Sequence, residues 1–123
     1  MQRSKKILIV DDEEDFLSLL MYTLEERGFE VMTSANAIDA GIKISSVLPA
    51  LILMDIKMPG INGFQACEAI KKNPVTKDVP IIVVSALSDE SDINKARGIG
   101  VVDYFVKPVN IEKLITRIRE IVS

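Results

Sequence analysis

The sequence predicts an α/β fold: a doubly wound (βα)5 sandwich with a five-stranded parallel sheet and helices on both faces. Three observations predict it. Short apolar runs recur five times, at Lys6–Val10, Phe29–Ser34, Leu51–Met54, Ile81–Ala86 and Val101–Val106. The stretches between them carry apolar residues at helical spacing. Two of the runs, Leu51-Ile52-Leu53-Met54 and Ile81-Ile82-Val83-Val84, contain no polar residue, which is the pattern of strands buried on both faces.

Taken in order, Lys6–Val10 is the first strand and the acidic run Asp11 to Asp15 follows it directly. Phe16, Leu19, Leu20, Thr23 and Leu24 then define a helix, with Gly28 as its stop. After the second strand, Ala37 to Ser46 has helical periodicity through Ile38, Gly41 and Ile42, and it ends before Pro49. The third strand leads into Asp55 and then into the turn-formers Pro59, Gly60, Asn62 and Gly63. A helix over Phe64 to Lys72 places Phe64, Cys67 and Ile70 inward, and a loop from Pro74 to Pro80 precedes the fourth strand. Ser88 or Asp89 can cap a helix that runs to about Arg97 and ends at Gly98 and Gly100. The fifth strand breaks at Lys107-Pro108, and Ile111 to Val122 is a closing amphipathic helix.

With 123 residues and 48% apolar content, residues 1–123 are read as one domain with a sizeable core. The net charge of −3 argues against nucleic acid as a direct partner, and Arg3, Lys5 and Lys6 make only a small basic start. No apolar stretch approaches the length of a membrane span, and the run Ile7 to Val10 is too short for a signal sequence. The single cysteine, Cys67, fits a reducing compartment and reads as a core residue, so a soluble, cytoplasmic protein is expected. The absence of histidine removes Ser-His-Asp and Cys-His catalysis and histidine metal sites.

The chemistry gathers at strand ends. Asp11 and Asp12 close strand one, Asp55 closes strand three, Ser85 lies late in strand four and Lys107 follows strand five. In a parallel sheet these ends share one edge, and the order 2-1-3-4-5 puts the ligand-binding switch point between Asp11/Asp12 and Asp55. Three carboxylates there repel one another unless a cation sits among them, and a hard divalent ion that keeps several waters, such as magnesium, is the natural one. Lys107 adds a compact positive charge at the same place. Acids, a metal, a lysine and a hydroxyl around one carboxylate suit phosphoryl transfer, with Asp55 as nucleophile and Ser85 on a phosphate oxygen. Glu13 and Glu14 read only as a solvated acidic first turn.

At these residues the chain resembles the receiver domain of two-component response regulators, close to the single-domain chemotaxis type. The matching segments are Val10-Asp11-Asp12, Asp55-x-x-Met58-Pro59-x-x-Asn62-Gly63, Val84-Ser85-Ala86 and Tyr104-x-x-Lys107-Pro108. The resemblance spans the chain and implies a flavodoxin-like sheet in the order 2-1-3-4-5. It implies that Asp55 accepts a phosphoryl group from a sensor histidine kinase or a phosphotransfer protein. It also implies that Asp12, Asp55 and the main-chain carbonyl of Lys57 hold Mg2+, or Mn2+ in its place, with Asp11 acting partly through water. Lys107 matches the family's invariant lysine, Ser85 its switch hydroxyl and Tyr104 the aromatic that turns inward when Ser85 moves to the phosphate. The Lys107-Pro108 bond matches one that is cis in the family. The implied output is the face of the fourth helix, fifth strand and fifth helix, acting on an effector protein or a C-terminal output domain, as a monomer or a phosphorylation-dependent homodimer.

Some positions depart from the family's commoner pattern. Gly100-Val101-Val102-Asp103 and Val109 are unusual there. Asp103 and Arg117 match one ion pair of a family dimer face, whereas Gly98, Val102 and Lys113 replace its other charges, and an Ile99/Val102 contact is the apolar substitute. Lys57 and Leu87 flank the entrance for hydrolytic water and are expected to lengthen the phosphorylated state. Two other functions are open: a phosphohydrolase of the haloacid dehalogenase type, which would want a second acid where Lys57 stands, and a receiver-like scaffold that takes no phosphate. A flavodoxin-like cofactor binder would need a phosphate loop after strand one, and none is present.

Overall fold

The computed structural model of the protein describes residues 5–58 and 61–122. Arg3, Pro59 and Gly60, read above as part of a basic start and of a turn, lie outside the described residues. Five strands form one parallel sheet: β1 (Lys6–Val10), β2 (Glu30–Ser34), β3 (Leu51–Met54), β4 (Ile81–Ser85) and β5 (Asp103–Val106), in the order β2-β1-β3-β4-β5. Five helices connect them: α1 (Glu14–Glu26), α2 (Ala37–Val47), α3 (Gly63–Lys72), α4 (Glu90–Ile99) and α5 (Ile111–Val122). The predicted α/β class and strand order are both found. Among the described residues, no helix is long and apolar enough to cross a membrane.

Period-two alternation divides the core into two layers. Leu8, Val10, Ile52, Met54, Ile81 and Val83 face α2, α3 and α4, where they meet Ile44, Phe64, Cys67, Ile70 and Ala96. Ile7, Ile9, Leu51, Leu53, Ile82 and Val84 face the other way, onto Leu17, Leu20 and Leu24 of α1 and Leu114, Ile115 and Ile118 of α5. The central strands are buried on both sides, and this is why they read as unbroken apolar runs. Cys67 is packed in the first layer, and burial pushes its thiol up to about 12, so it is inert.

Several local expectations are corrected. In α1 the inward set is Leu17, Leu20 and Leu24, and Leu19 faces solvent. In α2 it is Ala40 and Ile44, while Ile38 and Ile42 are exposed. Polar ties explain the rotation of α2: Asp39 accepts from the Ser34 hydroxyl at 2.6 Å, and Lys43 donates to the Thr33 carbonyl at 2.6 Å. Those two side chains must face β2, so the Ile38/Ile42 stripe turns outward. Gly98 lies inside α4, and it is Gly100, at φ 114°, that ends the helix in the left-handed region.

Candidate functional site

Main-chain pairing continues one residue past β1, β3 and β5 at the carboxyl edge. The Asp11 amide donates to the Ser34 carbonyl at 3.0 Å, and the Asp55 amide to the Val10 carbonyl at 2.9 Å. On the other side the Lys107 amide donates to the Ser85 carbonyl at 2.8 Å. These bonds fix the roots of Asp11, Asp55, Ser85 and Lys107 along one edge, at the point where the chain winds off to opposite faces. The Lys107–Pro108 peptide bond is cis.

The side chains converge. One ligand oxygen from each of Asp11, Asp12 and Asp55 lies within 4.8 Å of the others. Asp11 and Asp55 are buried, at 1% and 4% exposure, whereas Asp12 is exposed and leaves the cluster open to water. The Lys107 ammonium donates to Asp11 Oδ2 at 2.7 Å, Glu13 Oε1 at 2.7 Å and Asp55 Oδ2 at 3.2 Å. It also lies 4.2 Å from the centre of the Phe16 ring. The second oxygen of Asp55, Oδ1, accepts the Lys57 amide at 2.9 Å. Asp11 Oδ1 accepts the Glu13 amide at 2.9 Å.

Electrostatics follow from this packing. Burial raises the Asp11 carboxyl above its ordinary range; Lys107 and the Glu13 amide oppose that, and the charge on Asp55 adds to it. Burial works against the Lys107 ammonium, but hydrogen bonds to Asp11 and Glu13 and the field of Asp55 outweigh it and raise its pKa. Glu13 is lowered by its hydrogen bond to Lys107.

A second cluster adjoins the first. Ser85 is fully buried, and its Oγ accepts from the Leu87 amide at 3.3 Å. Tyr104 is half-buried and donates its hydroxyl to the Leu87 carbonyl at 2.7 Å. Burial, with the charge of Asp92, raises the Tyr104 phenol. The two residues expected to act as a switch therefore both hold the main chain of Leu87.

After Asp55 the chain forms a short antiparallel rung between Lys57–Met58 and Ile61–Asn62, with Lys57 exposed. Asn62 is the N-cap of α3, its side chain accepting the Phe64 and Gln65 amides at 3.0 and 3.3 Å. Gly63 is needed because a Cβ there would overlap the Ile56 backbone. Of the turn-formers, Asn62 and Gly63 are thus the parts that anchor α3 behind Asp55.

Three contacts of the site went unread in the sequence. Glu13 is not merely a solvated turn acid, since it is an ion-pair partner of Lys107. Phe16, read only as part of the apolar period of the first helix, lies against the same ammonium. Leu87 takes part through its backbone, which sequence patterns do not reveal. The place of Glu13 directly after Asp11-Asp12 was the only available signal.

Three acids at the switch point of a parallel sheet, with a lysine across from them, define a class, and comparison with known proteins names it. Residues 7–119 match the response regulator receiver domain, and the chain belongs to this family. Receiver domains are signalling domains of two-component systems, and they bind Mg2+ at an acidic pocket. PilH of Pseudomonas aeruginosa is 36% identical over 118 residues, covering 96% of this chain and 98% of PilH. The phosphate regulon transcriptional regulatory protein PhoB of Rhizobium meliloti is 37% identical over 114 residues, covering 93% of this chain and 50% of PhoB. The chain thus spans half of PhoB, and it spans 17% of RcaC of Microchaete diplosiphon. Among solved structures, a receiver domain from Bermanella marisrubri superposes with a TM-score of 0.89 at 33% identity, covering 98% of this chain and 100% of that one. A receiver domain from Colwellia psychrerythraea gives 0.91 at 27%, covering 97% and 98%.

Proposed function

We propose that residues 1–123 form a single receiver domain in which Asp55 is the phosphoacceptor of a two-component phosphorelay. The observation that carries this reading is the surroundings of Asp55: a buried carboxylate whose two oxygens are oriented separately, Oδ1 by the Lys57 amide and Oδ2 by Lys107. A carboxylate oxygen attacks the phosphorus of a phosphohistidine on a sensor kinase or phosphotransfer protein. The P–O bond forms as the P–N bond breaks, and the imidazole nitrogen leaves with the electron pair. Lys107 then neutralises charge on the transferred group, and the Ser85 hydroxyl bonds one of its oxygens.

The acidic cluster fits Mg2+, with Mn2+ able to substitute. Its donors are all hard oxygens, they are closely spaced, and one of them stands on the solvent side. Asp12, Asp55 and the Lys57 main-chain carbonyl would hold the ion, with Asp11 partly through water. When bound, the metal supplies positive charge that screens the acids and the phosphoryl group.

Phosphorylation adds charge and acceptor oxygens beside Ser85 and Lys107. Ser85 exchanges the Leu87 amide for a phosphate oxygen, and the Leu87 backbone, which also carries the Tyr104 hydroxyl, shifts with it. The change is read out on α4, β5 and α5 by an effector protein or a C-terminal output domain, from a cytoplasmic monomer or a phosphorylation-dependent homodimer. Arg117 Nε binds Asp103 Oδ2 at 2.9 Å within the chain, so using that pair between two copies requires it to be exchanged. The test is intact mass after incubation with acetyl phosphate, with and without magnesium. A magnesium-dependent phosphoryl adduct that Asp55→Asn lacks is expected; an equal adduct in the variant would exclude Asp55 as acceptor.

A further inference from the structure

Glu13 is the N-cap of α1, yet its side chain makes no capping hydrogen bond. The preferred residues at such a position turn a side-chain oxygen onto the first free amides of the helix. Glu13 instead extends across the site and binds the Lys107 ammonium at 2.7 Å, closer than Asp55 does at 3.2 Å. An ammonium has three hydrogens to donate. Here Asp11, Glu13 and Asp55 take all three, and the Phe16 ring lies against the same group.

Resting on the phosphoacceptor reading above, we propose that Glu13 is a positioning residue: it holds Lys107 back from the phosphoryl position and so slows transfer to Asp55. A phosphoryl oxygen that needs a hydrogen from Lys107 must displace one of the three acceptors. Asp55 receives the phosphoryl group beside Lys107 and brings it to the ammonium, and Asp11 is buried with little water to take the place of Lys107. The Glu13 side chain is 61% exposed and is rehydrated on release. Glu13 is therefore the acceptor that yields, and breaking its ion pair is part of each transfer.

The experiment compares wild type with Glu13→Gln, Glu13→Ser and Glu13→Asp, and with Glu14→Gln as a control that removes the same charge one residue away. Ser and Asp are good N-caps, so these variants keep α1 folded while withdrawing the contact with Lys107. With acetyl phosphate at saturating magnesium, the three Glu13 variants form the adduct roughly two- to fivefold faster than wild type, the scale of an exposed ion pair. Glu14→Gln matches wild type. The Nζ–H resonance of Lys107, read by 15N NMR without any phosphodonor, shifts in the Glu13 variants and not in Glu14→Gln.

Equal rates in all five proteins overturn the proposal, and so does an acceleration shared by Glu14→Gln, which would reflect overall charge. A Lys107 resonance that ignores Glu13→Gln overturns it whatever the rates. A wild type that forms no adduct, with the resonance shifting as expected, instead removes the phosphoacceptor reading, and the brake falls with it.

Discussion

Asp11 and Asp12 are neighbours in the chain and carry the same carboxylate, but Asp11 is 1% exposed and Asp12 lies in solvent. The same division runs through the whole site. Asp11, Asp55 and Ser85 form a dry centre rooted in strand ends, and Lys107 reaches into it from the end of β5. Asp12, Glu13 and Lys57 form a wet rim on the loops that follow. A charge in the centre can be changed only by leaving a partner unpaired away from water, so the centre is all-or-none. A charge on the rim exchanges its partner for water, so the rim adjusts rates in small steps. The site separates what makes the chemistry available from what sets its pace.

Breaking the centre should have the largest effects. Asp55→Asn abolishes the phosphoryl adduct, as seen by intact mass. Lys107→Met leaves Asp11 and Asp55 buried without their shared cation. It should cost roughly 2–3 kcal/mol in urea unfolding of the metal-free protein, at the low end for a broken buried pair because one side meets solvent. Magnesium should restore part of that loss in Lys107→Met. Gly63→Ala drives a methyl group into Ile56 behind Asp55 and should cost about 1–3 kcal/mol, with weaker magnesium binding by titration.

Asp11 sharpens the comparison through pH. Its folded-state pKa is raised, chiefly by burial, so the native state favours the protonated form more than the unfolded chain does. That contribution to stability is complete below the ordinary aspartate value and is lost as pH rises through the raised one. Asp11→Asn does not titrate. In EDTA, its thermal midpoint should therefore gain on wild type, by a few degrees, as the pH is taken from about 4 to 7. A constant difference would mean that Lys107 fully compensates the burial of Asp11.

The rim, with Leu87 beside it, should give the smallest effects on the chemistry. Lys57→Asn and Leu87→Glu are expected to shorten the lifetime of the phosphorylated state several-fold, measured as decay of the adduct after the donor is removed. Lys57 is exposed, so Lys57→Asn should not alter the midpoint of urea unfolding appreciably, whereas Leu87 packs against the α2/α3/α4 layer and Leu87→Glu should lower it. Equal lifetimes would show that water reaches Asp55 by another route.

Much of the architecture was legible because its signals are local. The bounds of β1, β3 and α5 match the sequence reading because apolar runs and a strong amphipathic period mark them. Asp55 was legible as a lone acid after a fully buried strand. The orientation of α2 was not, because Ile38/Ile42 and Ala40/Ile44 both keep helical period and only the ties of Asp39 and Lys43 to β2 select between them. The start of β5 was also misread: Val101 and Val102 continue the apolar run, but strand pairing begins at Asp103.

By itself, then, the sequence determined the α/β class and the residues placed at the carboxyl edge, since alternation, turn chemistry and strand-end position are properties of neighbouring residues; the strand order came from the family resemblance. Only the tertiary structure decided which acids are dry, that Glu13 rather than Glu14 binds Lys107, and that Ser85 and Tyr104 meet on the backbone of Leu87. Those facts depend on distances between segments as far apart as Glu13 and Lys107, 94 residues along the chain, and on a burial that exists only once both layers have closed on the sheet.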